Sequence, residues 1–286
     1  MDKQTRIGEL LRTVSDTLRE VSDSPRLDAE ILVGRAIDMP RAYLFAHPDD
    51  SLDEAAITRL EQSVQRRVNG EPMAYITGFR EFWSMELAVS PATLVPRPET
   101  EILVDRALQA IPRKAAWRIL DLGTGSGAIA LAIARERPHC DVVAVDVNSD
   151  ALDVARLNAN ELGIANVEFV AGSWTDPVRH QQFDVVVSNP PYVKTDDSAL
   201  ASLHSEPTAA LAAGEDGLDA IRVLARDCGA LLKPGGLFVL EHGAEQQMEV
   251  ANLLQNHNWL DVHCHKDFAG LPRVTTARQP APVSNL

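Results

Sequence analysis

At 286 residues, 45% hydrophobic and 24% charged, the chain has the composition of a globular protein and a length that suits two domains. Lysine and arginine total 27 against 41 acidic residues, a formal charge of −14, so the surface as a whole repels phosphate backbones and only a local basic patch could favour a nucleic-acid substrate. No apolar run reaches the roughly 18 residues of a membrane span. Met1-Asp2-Lys3-Gln4 lacks the apolar core of a signal peptide, and Cys140, Cys228 and Cys264 are too few and too scattered for a disulfide framework or a metal knuckle. A cytoplasmic location is expected.

From Gln4 to about Asn69 the pattern is helical, with Ile7, Leu10, Leu11, Val14 and Leu18 at three- and four-residue spacing. A second helix is expected from Ser24-Pro25, serine capping and proline in the first turn, and Pro40 closes it. A third runs from Ser51, with Glu54 completing a capping box, to Gly70. These make a small all-helical domain over residues 1–71. Between residues 72 and 98 the period changes, and Tyr75 to Phe79 followed by Phe82 to Val89 reads as a β-hairpin linker. Arg97, between two prolines, is either a solvated linker residue or a group presented near a substrate.

Residues 99–286 alternate strand and helix in the manner of a doubly wound α/β sheet of seven strands. The strands are Trp117–Leu122, Val142–Val147, Val167–Ala171, Phe183–Ser188, Leu237–Glu241, Leu260–Phe268 and Arg273–Arg278. Helices fit at Ala128–Glu136, Ser149–Leu162, Gly217–Leu232 and Glu245–Gln255, and the last two strands can form an antiparallel edge pair. His263 and His265 share one face of a strand with Cys264 on the other. Two ligands without a third are weak grounds for zinc, so no metal is expected.

Gly123, Thr124, Gly125, Ser126 and Gly127 follow the first of these strands and open a helix, where glycines permit a tight turn and close ligand approach. Asp146, at the end of the next strand, can accept hydrogen bonds from both hydroxyls of a ribose. An adenosine-containing cofactor is implied, either a dinucleotide or S-adenosylmethionine. Trp174, in the loop after the third strand, can stack on an adenine or simply pack between elements.

The fourth strand runs into Asn189-Pro190-Pro191-Tyr192, where the prolines end the ladder and Pro190 holds Asn189 extended. In this order after glycine loop and acid, the tetrapeptide resembles that of class I S-adenosylmethionine-dependent methyltransferases acting on amide or exocyclic amino nitrogens. The Asn189 side-chain oxygen and the Pro190 carbonyl can accept both N–H groups of a planar NH₂, and Tyr192 can pack on its flat face. Adenine, guanine and glutamine all present such a group, so the tetrapeptide alone leaves the acceptor open.

The wider pattern narrows it. Tyr75-Ile76-Thr77-Gly78, Glu81-Phe82-Trp83-Ser84, the run from Val89 to Glu101 with Pro96-Arg97-Pro98-Glu99-Thr100-Glu101, Leu240-Glu241-His242-Gly243 and Arg273-Val274-Thr275 together resemble the HemK/PrmC family, peptide chain release factor glutamine methyltransferases. The resemblance implies that residues 123–127, Asp146, Trp174 and Asn189 contact S-adenosylmethionine. It also implies that Asn189, Pro190, Pro191 and Tyr192 hold the glutamine of a release factor's Gly-Gly-Gln loop while the helical domain helps to dock that factor. A monomer is expected, without membrane or direct nucleic-acid binding. Two departures stand out: Ser173 where many relatives carry aspartate, and Ser205 before Glu206-Pro207 where an aromatic is common.

Overall fold

The computed structural model describes residues 5–280; Gln4, where the first helical stretch was expected to begin, and residues 281–286 of the last domain lie outside the described residues. The chain divides into two compact units at Gly78/Phe79.

The first unit is helical: α1 (Ile7–Thr17), α2 (Pro25–Ala36), α3 (Arg41–Ala46), α4 (Glu54–Val68) and α5 (Met73–Thr77). Ile7, Leu11 and Val14 recur on one side of α1 and meet Leu32 and Val33 of α2 and Leu60 of α4 in a single core. Pro25 opens α2, but Ser24 makes no capping bond with its side chain. The expected capping box at Ser51 is also displaced: Asp53 caps α4, its carboxylate accepting from Ala56 N at 2.6 Å, because the acid lies directly before the first helical residue. Buried acids here are matched by arginines, Asp28 by Arg67 and Glu30 by Arg26 and Arg41, which removes the cost of isolated buried charge.

Tyr75, Ile76 and Thr77 are helical, where their β-branched and aromatic character predicts strand. Pro72 leads into that turn, and Gly78 at φ 87° closes it with the left-handed residue that ends helices. The hairpin follows, β1 (Phe79–Phe82) and β2 (Met85–Ala88), joined by Trp83 and Ser84 at φ 51° and 53°. Two left-handed residues make the turn whose twist suits a hairpin. Acids hold these non-glycine residues there: Trp83 N donates to Glu101 Oε1 and Ser84 N to Glu81 Oε1.

After a 3-10 turn at Pro98–Thr100, the second unit continues as α6 (Glu101–Ala110), β3 (Arg118–Leu122), α7 (Ala128–Glu136), β4 (Asp141–Asp146), α8 (Ser149–Glu161), β5 (Val167–Ala171), β6 (Phe183–Ser188), α9 (Ala199–Ser202), α10 (Asp219–Leu231), β7 (Leu232–Glu241), α11 (Gln247–Asn256), β8 (Leu260–Lys266) and β9 (Pro272–Arg278). The seven strands lie in the order β5-β4-β3-β6-β7-β9-β8. Strands β3 to β7 are parallel and β9 runs antiparallel to both its neighbours.

Alternate strand residues face opposite layers. Ile119, Val142, Val185 and Val239 pack with α6 and α7, whereas Leu120, Val143, Val186 and Phe238 pack with α10 and α11. The chain reverses direction across the sheet between β3 and β6, and ligands of open α/β sheets bind beyond the carboxyl ends of strands at such a point. There the register pairs Leu122 with Ser188 and Asp146 with Ala171. The glycine loop and Asn189 therefore leave adjacent strands at one level, and Asp146 and Gly172 do the same next to them.

Candidate functional site

A cavity of about 330 Å³ opens at this edge. Of the residues singled out by sequence, Gly123, Thr124, Gly125, Ser126, Asp146, Trp174, Asn189 and Pro191 line it; Gly127, Pro190 and Tyr192 are not among its wall residues. Gly127 starts α7 at φ 84°, tight against Leu131 and Ala155. Gly123 sits at φ 76°, the left-handed backbone that favours glycine, and a Cβ there would reach ordinary contact with the Trp174 ring at 3.5 Å. Trp174 itself is held at φ 43°, an uncommon conformation for a bulky residue and one that clusters at ligand sites.

Both oxygens of Asp146 already accept backbone N–H groups, Oδ2 from Gly125 at 2.8 Å and Oδ1 from Asn148 at 2.9 Å. A carboxylate offers about four acceptor positions, so a vicinal diol can still be held by the remaining two. One bond behind the wall, the Thr124 hydroxyl donates to Asp121 Oδ2 at 2.7 Å. Asp121 is fully buried, its Oδ1 has no hydrogen-bond partner among the described residues, and burial pushes its carboxyl up to about 7. A cavity with a diol acceptor, an aromatic wall and an unsatisfied acid behind its floor suits an adenosine that carries a positively charged amino-acid end.

On the other side of the cavity, Asn189 Nδ2 donates to Thr100 Oγ1 at 3.2 Å. The Tyr192 hydroxyl donates to Oε1 of the buried Glu241 at 3.2 Å. Burial pushes Glu241 up to about 7, against the pull of the Thr100 and Tyr192 hydroxyls and of Arg273. Burial first, and then the Glu241 charge, push the Tyr192 phenol up, so it stays a neutral donor. No group in this arrangement is placed as a strong base. What it offers an incoming ligand is hydrogen-bond acceptors at the end of a rigid strand.

The linker closes the remaining wall through Ala92, Leu94 and Pro96, opposite Pro207, Ala209 and Ala210. Glu206 ties the two segments: its buried carboxylate accepts from Val95 N at 3.0 Å and pairs with the Arg97 guanidinium. Arg97, its side chain about a third exposed, is not among the cavity's wall residues. It is a clamp between segments 109 residues apart.

A family model of the PrmC N-terminal domain matches residues 9–78, and one of the methyltransferase small domain matches residues 100–215. The release factor glutamine methyltransferase of Coxiella burnetii is 43% identical over 273 residues, covering 96% of this chain and 99% of that protein. The Salmonella typhimurium one is 44% identical over 280 residues, covering 97% and 99%. This chain belongs to the release factor glutamine methyltransferase family. Among solved structures, a methyltransferase from Pyrococcus furiosus superposes with a TM-score of 0.53 at 19% identity, over 68% of this chain and 89% of that one. A T. thermophilus 16S rRNA methyltransferase in complex with AdoMet and guanosine gives a TM-score of 0.54 at 18% identity, over 70% and 49%. At such identities these two show the fold alone.

Several residues at this edge are ones that the motifs of this release factor glutamine methyltransferase family member do not single out. Thr100 and Glu241 lie inside quoted motifs, yet nothing in their spacing reveals that they converge behind Asn189. Asp121 lies in the glycine motif itself, but its orphaned oxygen is visible only in three dimensions. Ser205 does not line the cavity; Pro207 and the two alanines after it do. His263 is exposed on the edge strand, and His265 bonds Thr276 at 2.9 Å. No group of residues able to hold a metal occurs among the described residues, and no helix there is long and apolar enough to cross a membrane.

Proposed function

We propose that the chain transfers a methyl group from S-adenosylmethionine to the side-chain amide nitrogen of the glutamine in the Gly-Gly-Gln motif of peptide chain release factors, the donor leaving as a neutral thioether and the nitrogen giving up one proton to solvent. Bound S-adenosylmethionine supplies an electrophilic methyl carbon on a sulfonium. The glycine loop (residues 123–127) and Asp146 would hold its ribose and amino-acid portions, Trp174 would cover the adenine, and Asp121, ionised when the positive amino group is bound, would offset that charge through Thr124.

The observation that carries the reading is Asn189 on the wall of the same cavity as the glycine loop, leaving β6 at the level where that loop leaves β3. An amide nitrogen is a poor nucleophile because its lone pair is shared with the carbonyl. The Asn189 Oδ1 and the Pro190 carbonyl take its two N–H groups, fix the plane of the NH₂ and favour localisation of the lone pair along the line of attack. Alignment of this kind is worth about 7 to 11 kcal/mol at best. The Tyr192 and Pro191 faces flank the flat amide. In this reading the helical unit docks the release factor, and the protein works as a cytoplasmic monomer without binding nucleic acid directly, in keeping with its −14 charge.

The test is transfer of label from S-adenosylmethionine to a purified release factor, mapped by peptide mass spectrometry. Label on the Gly-Gly-Gln glutamine is expected. Label in RNA or DNA, on a ribosomal protein instead, or nowhere would sink the assignment.

A further inference from the structure

An asparagine that must offer its oxygen has a difficulty of its own: its carboxamide is nearly symmetric in shape, and a half-turn about the last side-chain bond exchanges acceptor for donor. The wrong face would point N–H at N–H. Something in the fold has to choose between the two.

Thr100 is placed to choose. It stands at the start of α6, where threonine ordinarily caps the helix, yet its side chain makes no capping bond. Its hydroxyl instead faces Asn189, with Oγ1 3.2 Å from Nδ2. Both residues line the cavity, and Thr100 is only 3% exposed, so water does not compete freely for this bond. Glu241, 1% exposed, lies behind Thr100, whose hydroxyl is among the groups that draw its carboxyl down against burial. In its ionised form that carboxylate can take the Thr100 proton. A hydroxyl whose single proton is committed backwards can only accept in front, so it selects the NH₂ end of Asn189 and leaves Oδ1 free.

We propose that Thr100, backed by Glu241, is a positioning residue that locks the Asn189 carboxamide with Nδ2 inward and Oδ1 toward the acceptor nitrogen. The inference rests on the methyl-transfer reading above for its consequence, but not for its geometry. Its chemical corollary is selectivity for acceptors presenting a planar NH₂, because a fixed oxygen rewards donors and rejects groups without a proton to give.

Thr100→Val keeps the shape and removes the hydroxyl; Thr100→Ser keeps the hydroxyl. With the full-length chain, Thr100→Val is expected to lower kcat for release-factor methylation about 10- to 100-fold. KM for the release factor and the Kd for S-adenosylmethionine should stay within about threefold, and Thr100→Ser should recover most of kcat. A folded Thr100→Val with kcat within twofold of the parent, or a Ser variant as poor as Val, overturns the proposal. Failure of the parent chain to methylate the release factor would count against the function, not against this lock. The lock is then read by NMR from the Asn189 side-chain amide signals, assigned by their loss in Asn189→Ala. They should move in Thr100→Val and return toward their original positions in Thr100→Ser, and signals unmoved in Thr100→Val would overturn it whatever the substrate.

Discussion

In the proposed reaction Asn189 supplies an acceptor and not a base, and its removal tests that role. Asn189→Ala should abolish transfer, with a loss of at least about 100-fold, the scale seen when one preorganised polar contact to a reacting group is deleted. The melting temperature should shift little, because the side chain is only half-buried and the strand before it is held by its neighbours. Binding of S-adenosylmethionine, followed by calorimetry, should weaken by no more than a few-fold. A variant that still methylates at the parental rate would remove the acceptor mechanism. At this scale the sequence was most legible where chemistry is local: Asp146 closes its strand, and the glycine loop, Trp174 and Asn189 each begin one to three residues after a strand end. It was silent on Thr100, 89 residues from Asn189, and on Glu241, 49 residues from Tyr192, because their meaning depends on which strands lie side by side.

Among the elements, the linker and the loop after α9 depend on one carboxylate. Glu206→Ala would leave the Val95 N–H and the Arg97 guanidinium without their partner, a local cost of about 1 to 3 kcal/mol for such buried groups. Hydrogen exchange should therefore speed up at the Val95 amide by about tenfold or more, with the β3 and β6 amides still protected. S-Adenosylmethionine should bind more weakly, since Pro96 on one side and Pro207 on the other would no longer be held at the cavity. Unchanged exchange at Val95 would show that the clamp does not order the linker.

Element reading from sequence succeeded wherever long periodic stretches met clear stops. All seven strands and the four helices expected in the second unit lie where the pattern puts them, with ends within two residues except in β7, which begins at Leu232, five residues before the expected Leu237. It failed at α5, where the pair of flanking signals, Pro72 and Gly78, outweighed the β propensity of three residues between them. It also missed α3, a helix of six residues with only one fully buried side chain.

For the molecule as a whole, Asp121 and Glu241 tie stability to pH. Both carboxyls are pushed up by burial to about 7, so the fold favours their neutral forms. The stability contributed in this way is fully present below the ordinary carboxylic range near 4 and is lost as the pH rises through about 7. Carboxylates held low by arginine, such as Glu30 and Glu71, although burial opposes the shift, act in the opposite sense and fail only in acid. The melting temperature is therefore expected to fall between pH 5.5 and pH 8.5, and to fall less steeply in Asp121→Asn, which cannot ionise at that position. Parallel curves for parent and variant would show that Asp121 does not titrate in this window.

The order of the strands also constrains how the chain matures. β9 is the last described strand to be synthesised, yet it sits inside the sheet, bonded to β7 on one side and β8 on the other. Until residue 278 has left the ribosome, β7 shows an unpaired edge while β8 has no partner at all. Those two strands are free to find each other, or a neighbouring nascent chain, before the strand that belongs between them exists. The interval between the synthesis of β8 and that of β9 is the point at which this protein is most exposed to misfolding, and a hairpin turn of only a few residues, Asp267 to Leu271, keeps it short.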